Sequence, residues 1–260
     1  MMSDMTKTAT FHDLKGASVF VTGGGSSIGA FLTDGLLAQG AKVAFVQRSD
    51  ATAFADEMEE KHGARPHYMQ CDITDIPRLQ ACIAEAADRH GPITTLVNNA
   101  ANDKRHTLEE VDEEFWDWSQ AVNLKAYFFA CQAVAPGMRA AGGGSIINFT
   151  SISYMIGNAG YPSYTTANSG INGMTRSLAR ELGPDNIRVN ALAPGWVLTD
   201  KQKELWVTPE GLEAHLARQC LKDTLAPQDM VDAVLFLASG TSRMMTGQAL
   251  VVDGGVVVTG

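Results

Sequence analysis

Short runs rich in Val and Ile recur along the chain with longer amphipathic stretches between them, and this alternation narrows the fold more than any other feature. The runs are Ser18–Thr22, Lys42–Gln47, His67–Gln70, Thr95–Asn98, Ser145–Phe149, Arg188–Ala193 and Ala249–Val252. Each is short and bounded by Gly, Asp, Asn or Pro, which fits buried strands. The intervening stretches predict helices over Ile28–Gln39, Ala53–His62, Ile76–His90, Glu113–Met138, Tyr164–Leu182 and Pro227–Leu237. Strands this apolar need cover on both faces, and helical crossovers supply it. The pattern therefore predicts an α/β fold, a doubly wound parallel sheet with helices on both faces. No repeat, low-complexity segment or linker interrupts it, so a single domain over residues 1–260 is expected. The stretch Leu198–Thr224 breaks the rhythm. It is charged, predicts two short helices and follows a strand's carboxyl end, where a lid over a ligand belongs.

Composition excludes several classes of function. The chain has 260 residues, 45% of them hydrophobic, and a formal net charge of −9. No Lys/Arg run exceeds two residues, so a surface tracking nucleic-acid phosphates is not expected. The four cysteines, Cys71, Cys82, Cys131 and Cys220, form no C-x-x-C pair and no zinc-spaced cluster. They read as buried, reduced thiols, with no metal site. Met1–Leu14 is polar and lacks an apolar signal core, and no apolar stretch reaches the length of a membrane span. A cytoplasmic protein without a membrane partner is the expectation.

The first strand runs into Thr22-Gly23-Gly24-Gly25-Ser26-Ser27-Ile28-Gly29 and then into a helix. Glycines let a backbone approach a pyrophosphate, and the helix start offers free N–H groups and a positive dipole end. Between a first strand and a helix, such a turn is a strong sign of a Rossmann-like dinucleotide site. The second strand ends at Gln47, where an acid would bind a ribose hydroxyl; Gln47-Arg48-Ser49 stands there instead. A guanidinium beside a neutral amide suits a 2′-phosphate, so NADP is expected, with NAD possible. The alternatives are that Arg48 is a solvated cation and that Asp50 serves a ribose. Asp72 and Ile73, after the third strand, fall where an adenine would lie. Asn99, Ala100 and Ala101, after the fourth, give a cofactor close passage.

By these residues the chain resembles the short-chain dehydrogenase/reductase family. The resemblance runs from Leu14 to Gly255. It rests on the Thr22–Gly29 turn, Asn98-Asn99-Ala100, Asn123, Ser151, Tyr164, Pro194-Gly195 and Thr246-Gly247-Gln248 with Val252-Asp253-Gly254-Gly255. It implies that Ser151 holds the substrate oxygen, that Tyr164 is the general acid/base and that Asn123 anchors a water of the proton relay. For Asn123 the other reading is a helix-bending or capping amide. It also implies that Pro194, Gly195, Val197 and Thr199 meet the cofactor, with a helix cap as the alternative reading for Thr199.

One position departs from the family. Its lysine, four residues after the tyrosine, is Asn168 here. Residues i and i+4 share a helix face, so Asn168 points the same way as Tyr164 and can reach a ribose hydroxyl, but it carries no charge. A phenol ionises near pH 10, and only nearby positive charge lowers that value. Loss of such help costs about ten- to a thousandfold in rate where nothing offsets it. Two smaller departures are Ser27 for the middle turn glycine, which either crowds a pyrophosphate or hydrogen-bonds it, and Ala101 for the usual glycine.

Within the family, the stretches Asn99–His106, Val134–Met138, Asn148–Ser153, Ala179–Asp185 and Trp206–Gly211 look like those of aldose 1-dehydrogenases acting on xylose and arabinose. These oxidise the anomeric hydroxyl to a lactone. Asn102, Asp103, Arg105 and His106, with Ser153 and Asn158, provide the donors and acceptors a polyhydroxy substrate needs, and Trp196 offers a ring to stack on a sugar face. The plainer reading makes Asp103-Lys104-Arg105 a solvated turn. Two rival functions stay open: a nucleotide- and ligand-binding protein disabled by Asn168, and a dehydrogenase or reductase of sugar acids or other secondary alcohols and ketones. The family also implies a homotetramer, with the apolar tail Val256–Gly260 against a neighbour or its own domain.

Overall fold

The computed structural model describes residues 9–258. Most of the N-terminal segment and the last two residues of the apolar tail therefore lie outside the described residues. Seven strands form one parallel sheet in the order β3-β2-β1-β4-β5-β6-β7. They are β1 Ser18–Thr22, β2 Lys42–Gln47, β3 His67–Gln70, β4 Thr95–Asn98, β5 Gly144–Phe149, β6 Ile187–Pro194 and β7 Ala249–Val252. Five match the expected bounds, and β5 and β6 are longer by one and two residues.

Side chains alternate across a strand, so an all-apolar strand feeds two cores. Val19 and Val21 of β1 join one buried cluster with Val43, Phe45, Ile147 and Leu192. Phe20 points the other way, into a second cluster with Ala44, Val46, Leu96, Ile146 and Val189. Helix α1 (Ser27–Ala38) and α9 (Val231–Ala238) cover the first face, through Leu32, Leu36, Val234 and Leu235. Helices α3 (Ile76–His90), α5 (Ala126–Ala140) and α6 (Pro162–Leu182) cover the second, through Leu79, Ala130 and Leu182. Helix α2 (Thr52–His62) contributes Met58 to the first cluster. The chain winds outward from β1 to β3, then returns to place β4 on the other side of β1. That reversal opens a crevice beyond the carboxyl ends of β1 and β4.

Two departures from the expected helices bear on the site. The stretch expected as one helix, Glu113–Met138, is α4 (Glu113–Gln120) and α5, joined by a π-helical turn over Ala121–Lys125. Such a turn adds a residue to the helix circuit and often marks a functional position. Helix α6 starts two residues before Tyr164, at Pro162, since proline suits a first helical turn. The irregular stretch forms the two expected short helices, α7 (Asp200–Leu205) and α8 (Pro209–Arg218).

Candidate active site

One cavity of about 860 Å³ opens at the carboxyl ends of the central strands. Every residue assigned to the site from sequence lines it except Gly25 and His106. At one end stands the glycine turn. A Cβ on Gly29 would lie 1.9 Å from the Gly23 carbonyl oxygen, and one on Gly24 would lie 2.5 Å from Phe45 Cβ. These glycines pull α1 tight against β1. Ser26 caps α1 with no side-chain hydrogen bond, so the side chain leaves the helix's positive end free. Gly25 is turned inward instead. Its N–H donates to Gln47 Oε1 at 2.9 Å, and an added Cβ would meet Ala51. Ser27 sits at φ +49°, the left-handed region that glycine tolerates and an L side chain resists.

The end of β2 is braced as well. Gln47 Nε2 donates to Ser49 Oγ at 3.0 Å, and the Arg48 carbonyl accepts from Gln70 Nε2 at 2.8 Å. Arg48 thus lines the cavity from a braced backbone. Asp50 does not line it: Oδ1 accepts from the Thr52 N–H and hydroxyl at 2.9 and 2.6 Å. Those two bonds hold its carboxyl below the usual range and oppose the ribose reading. Asp72 lines the wall while Oδ1 caps Thr74. Asn99 Nδ2 donates to the Thr22 carbonyl at 3.0 Å, stitching β4 to β1.

Tyr164 and Ser151 meet at the other end of the cavity. A buried polar ladder fixes α6 against β5 there. Asn148 Nδ2 donates to Thr175 Oγ1 at 3.0 Å, Asn172 Nδ2 to Thr150 Oγ1 at 3.1 Å, and Thr150 Oγ1 to the Asn168 carbonyl at 3.0 Å. Sequence reading missed this ladder; its signal was the polar residues interrupting an apolar helix stripe. Asn168 is buried, and its Nδ2 donates to the Tyr164 backbone carbonyl at 2.8 Å. The Tyr164 phenol is pushed up to about 12, by burial first and then by the Asp103 carboxylate; Asn168 and Ser151 pull it back only in part. Asn123 is buried in the π turn, where Oδ1 accepts from the Asn102 N–H at 2.8 Å and Nδ2 donates to the Asn102 carbonyl at 3.0 Å. The amide clamps the loop after β4.

That loop carries the polar residues expected for a substrate. Asn102 Oδ1 is engaged by the Lys104 N–H. Asp103 Oδ2 accepts from Gln202 Nε2 at 2.7 Å, and Gln202 Oε1 accepts from Trp196 Nε1 at 3.0 Å. Gln202 of α7 thereby ties the loop to the lid. Asp103 and Arg105 are therefore not a free solvated turn. The Arg105 guanidinium lies 3.9 Å from the centre of the Tyr161 ring and 5.5 Å from that of Trp206. Asn158 Nδ2 donates to the Tyr161 hydroxyl at 2.9 Å. Trp196 meets His215 edge to face at 5.3 Å. Burial holds that imidazole below its ordinary value. His106 departs from expectation: it is buried off the cavity wall, accepting from the Ser163 N–H at 3.2 Å. Thr199 does both things expected of it, capping α7 at the Gln202 N–H while lining the wall. Gln202, Tyr161, Trp206 and His215 line the cavity without having been singled out for the site, since no spacing in the sequence sets lid residues apart. Cys71, Cys82 and Cys131 are buried as expected, but Cys220, beyond the end of α8, is exposed. Among the described residues, no cluster of three or more His, Cys, Asp or Glu side chains is placed to hold a metal, and no helix is long and apolar enough to cross a membrane.

Residues 23–257 match the family model described as enoyl-(acyl carrier protein) reductase. The chain is a short-chain dehydrogenase/reductase. This dehydrogenase is 47% identical over 251 residues to the protein of Rhizobium meliloti (strain 1021) named Probable galactose dehydrogenase GalD, covering 96% of this chain and 98% of that one. It is 46% identical to D-xylose 1-dehydrogenase of Caulobacter vibrioides (strain NA1000 / CB15N) over 249 residues, 95% of this chain and 98% of the other. Among solved structures it resembles a blue fluorescent protein from a metagenomic library in complex with NADPH. The TM-score is 0.86 and the identity 35%, with 94% and 99% of the two chains covered. A short-chain type dehydrogenase/reductase of Mycobacterium ulcerans superposes with a TM-score of 0.89 at 27% identity, covering 95% of this chain and 91% of that one.

Proposed function

We propose that this dehydrogenase oxidises the anomeric hydroxyl of an aldose to the lactone, using NADP in preference to NAD. One observation carries the reading: a single cavity joins a glycine cradle and Arg48 at one end to Ser151, Tyr164 and a hydrogen-bonding loop at the other. The likeness to a galactose and a xylose dehydrogenase supports the sugar, and the NADPH-bound neighbour supports the cofactor.

The residues present fit a dinucleotide, since the cradle is one that a single Cβ would fill. Gly23, Ser26, Ser27 and Ile28 would hold the pyrophosphate, Arg48 and Ser49 a 2′-phosphate, and Asp72 and Ile73 the adenine. Asn99, Ala100, Asn168, Pro194, Gly195, Val197 and Thr199 would hold the nicotinamide half. When bound, the dinucleotide supplies a hydride acceptor. Ser151 Oγ and the Tyr164 hydroxyl hold the substrate oxygen and keep a proton available there. Asn123 holds the loop that carries Asn102 and Asp103.

Initial rates with NADP or NAD and a panel of pentoses, hexoses, sugar acids and simple secondary alcohols test this. Reduction of NADP with aldoses ahead of the other substrates is expected; no turnover with any aldose rules the reading out. The Tyr164 phenol near 12 favours a second reading, an oxidoreductase slowed by Asn168. There Asn168→Lys is expected to raise the neutral-pH rate about ten- to a thousandfold. An unchanged rate would mean that the missing charge is not what limits turnover. A homotetramer is the proposed assembly, and a sedimentation mass of one chain would refute it.

A further inference from the structure

The sugar end of the cavity is basic, in a chain whose formal net charge is −9. Its wall holds Arg105, Lys201 and Arg218 against one carboxylate, Asp103. The other charged residues of the cavity, Arg48 and Asp72, stand beyond the ends of β2 and β3, where the adenosine half is placed. The glycine turn and Arg48 already serve the phosphates of a dinucleotide. Arg105 lies elsewhere, beside Tyr161, whose ring centre is 5.4 Å from that of Tyr164.

Arg105 is held by stacking and its donors are unspent. The guanidinium carbon lies 3.9 Å from the Tyr161 ring centre and 5.5 Å from that of Trp206, so two rings orient the planar group. Asp103 does not satisfy it. The Asp103 Oδ2 is 4.0 Å from Arg105 Nη2, outside hydrogen-bond reach, and already accepts from Gln202 Nε2 at 2.7 Å. Among the described residues the guanidinium donates no hydrogen bond. Its five N–H donors therefore stand on a cavity wall, with the side chain 30% exposed. Lys201 Nζ, 4.0 Å from Asp103 Oδ1, brings a second cation to the same corner. A sugar hydroxyl would take one or two of these donors and leave the charge unmatched. A carboxylate or phosphate accepts two parallel N–H bonds from a guanidinium and matches its charge.

We propose that the aldose oxidised here carries an anionic group, a carboxylate or a phosphate, away from its anomeric carbon, and that Arg105 binds this group as a fork with Lys201 as the second cation. This rests on the aldose dehydrogenase reading and narrows its substrate class. Uronic acids and aldose phosphates keep the anomeric hydroxyl, so they remain aldoses, and the anion takes no part in the oxidation. It fixes the far end of the sugar while Ser151 and Tyr164 hold the reacting oxygen.

Initial rates at saturating NADP compare galactose with galacturonate and with galactose 6-phosphate. The three share one ring configuration, and the two charged sugars separate carboxylate from phosphate. At least one charged sugar is expected to exceed galactose in kcat/KM by about ten- to a hundredfold, and added NaCl is expected to shrink that preference. The preference is expected to vanish in Arg105→Gln and to shrink in Lys201→Gln, whose side chain is exposed. Galactose equal to or better than both charged sugars overturns the proposal and leaves the aldose reading standing. A preference that survives Arg105→Gln intact does the same. If Arg105→Gln fails to fold, a preference untouched by both Lys201→Gln and NaCl overturns it. If no sugar is turned over, the aldose reading fails, and calorimetric titration of the NADP-loaded protein judges the anion site by itself. Tighter binding of galacturonate or galactose 6-phosphate than of galactose supports the site, and equal or weaker binding of both overturns it.

Discussion

Asn168 shows how one side chain alters a site without altering its shape. It stays buried on the Tyr164 face of α6 and makes a good hydrogen bond, yet it adds no charge. The phenol therefore answers to burial and to Asp103. Ser27 is a second case. Its positive φ is accepted because the turn between β1 and α1 is over-determined by Gly24 and Gly29. Ser27→Gly is expected to stabilise the protein by about 1 kcal/mol in urea unfolding, since an L residue in this region costs about that much. A destabilised variant would mean that the serine side chain holds the turn and that its positive φ carries no strain.

At the scale of elements, the strands were the most legible part of the sequence. Each is a short apolar block closed by a turn residue, and a strand buried on both faces leaves little freedom in its ends. The cavity residues were legible for a related reason: strand ends in a parallel sheet converge, so Gln47, Asn99, Ser151 and Pro194 meet whatever the helices do. Contacts that depend on side-chain direction were not. Nothing in the spacing showed that Gly25 turns inward, that Asp50 folds onto Thr52, that His106 is sealed under the loop or that Gln202 reaches Asp103. The π turn was hidden too, because one extra residue scarcely disturbs a helical pattern. Asn123→Leu is expected to cost about 1–3 kcal/mol, since it strands the N–H and carbonyl of Asn102. Equal urea midpoints for variant and wild type would show that the clamp carries no load. Gln202→Leu cuts the lid from both Asp103 and Trp196. A raised sugar KM with an unchanged nucleotide Kd is expected, and an unchanged KM would mean that the tether does not shape the sugar end.

For the whole molecule, buried tyrosines set the alkaline limit of stability. Burial raises both Tyr164, to about 12, and Tyr127, well above its ordinary value of 10. An acid raised in the folded state favours folding fully below its unfolded value, and that contribution disappears as pH climbs through the folded one. Urea midpoints are thus expected to hold to about pH 10 and fall between 10 and 12, less steeply in Tyr164→Phe. Identical slopes for the variant and wild type would contradict the buried, uncharged setting given to the phenol.

In the proposed function one crevice carries a dinucleotide from the glycine turn to Tyr164, and a crystal structure with NADP bound tests this. The adenosine 2′-phosphate is expected beside Arg48, the pyrophosphate at the start of α1, and the nicotinamide ribose against Asn168 within reach of the Tyr164 hydroxyl. A nucleotide bound elsewhere, or one whose nicotinamide end turns away from Tyr164, would contradict it.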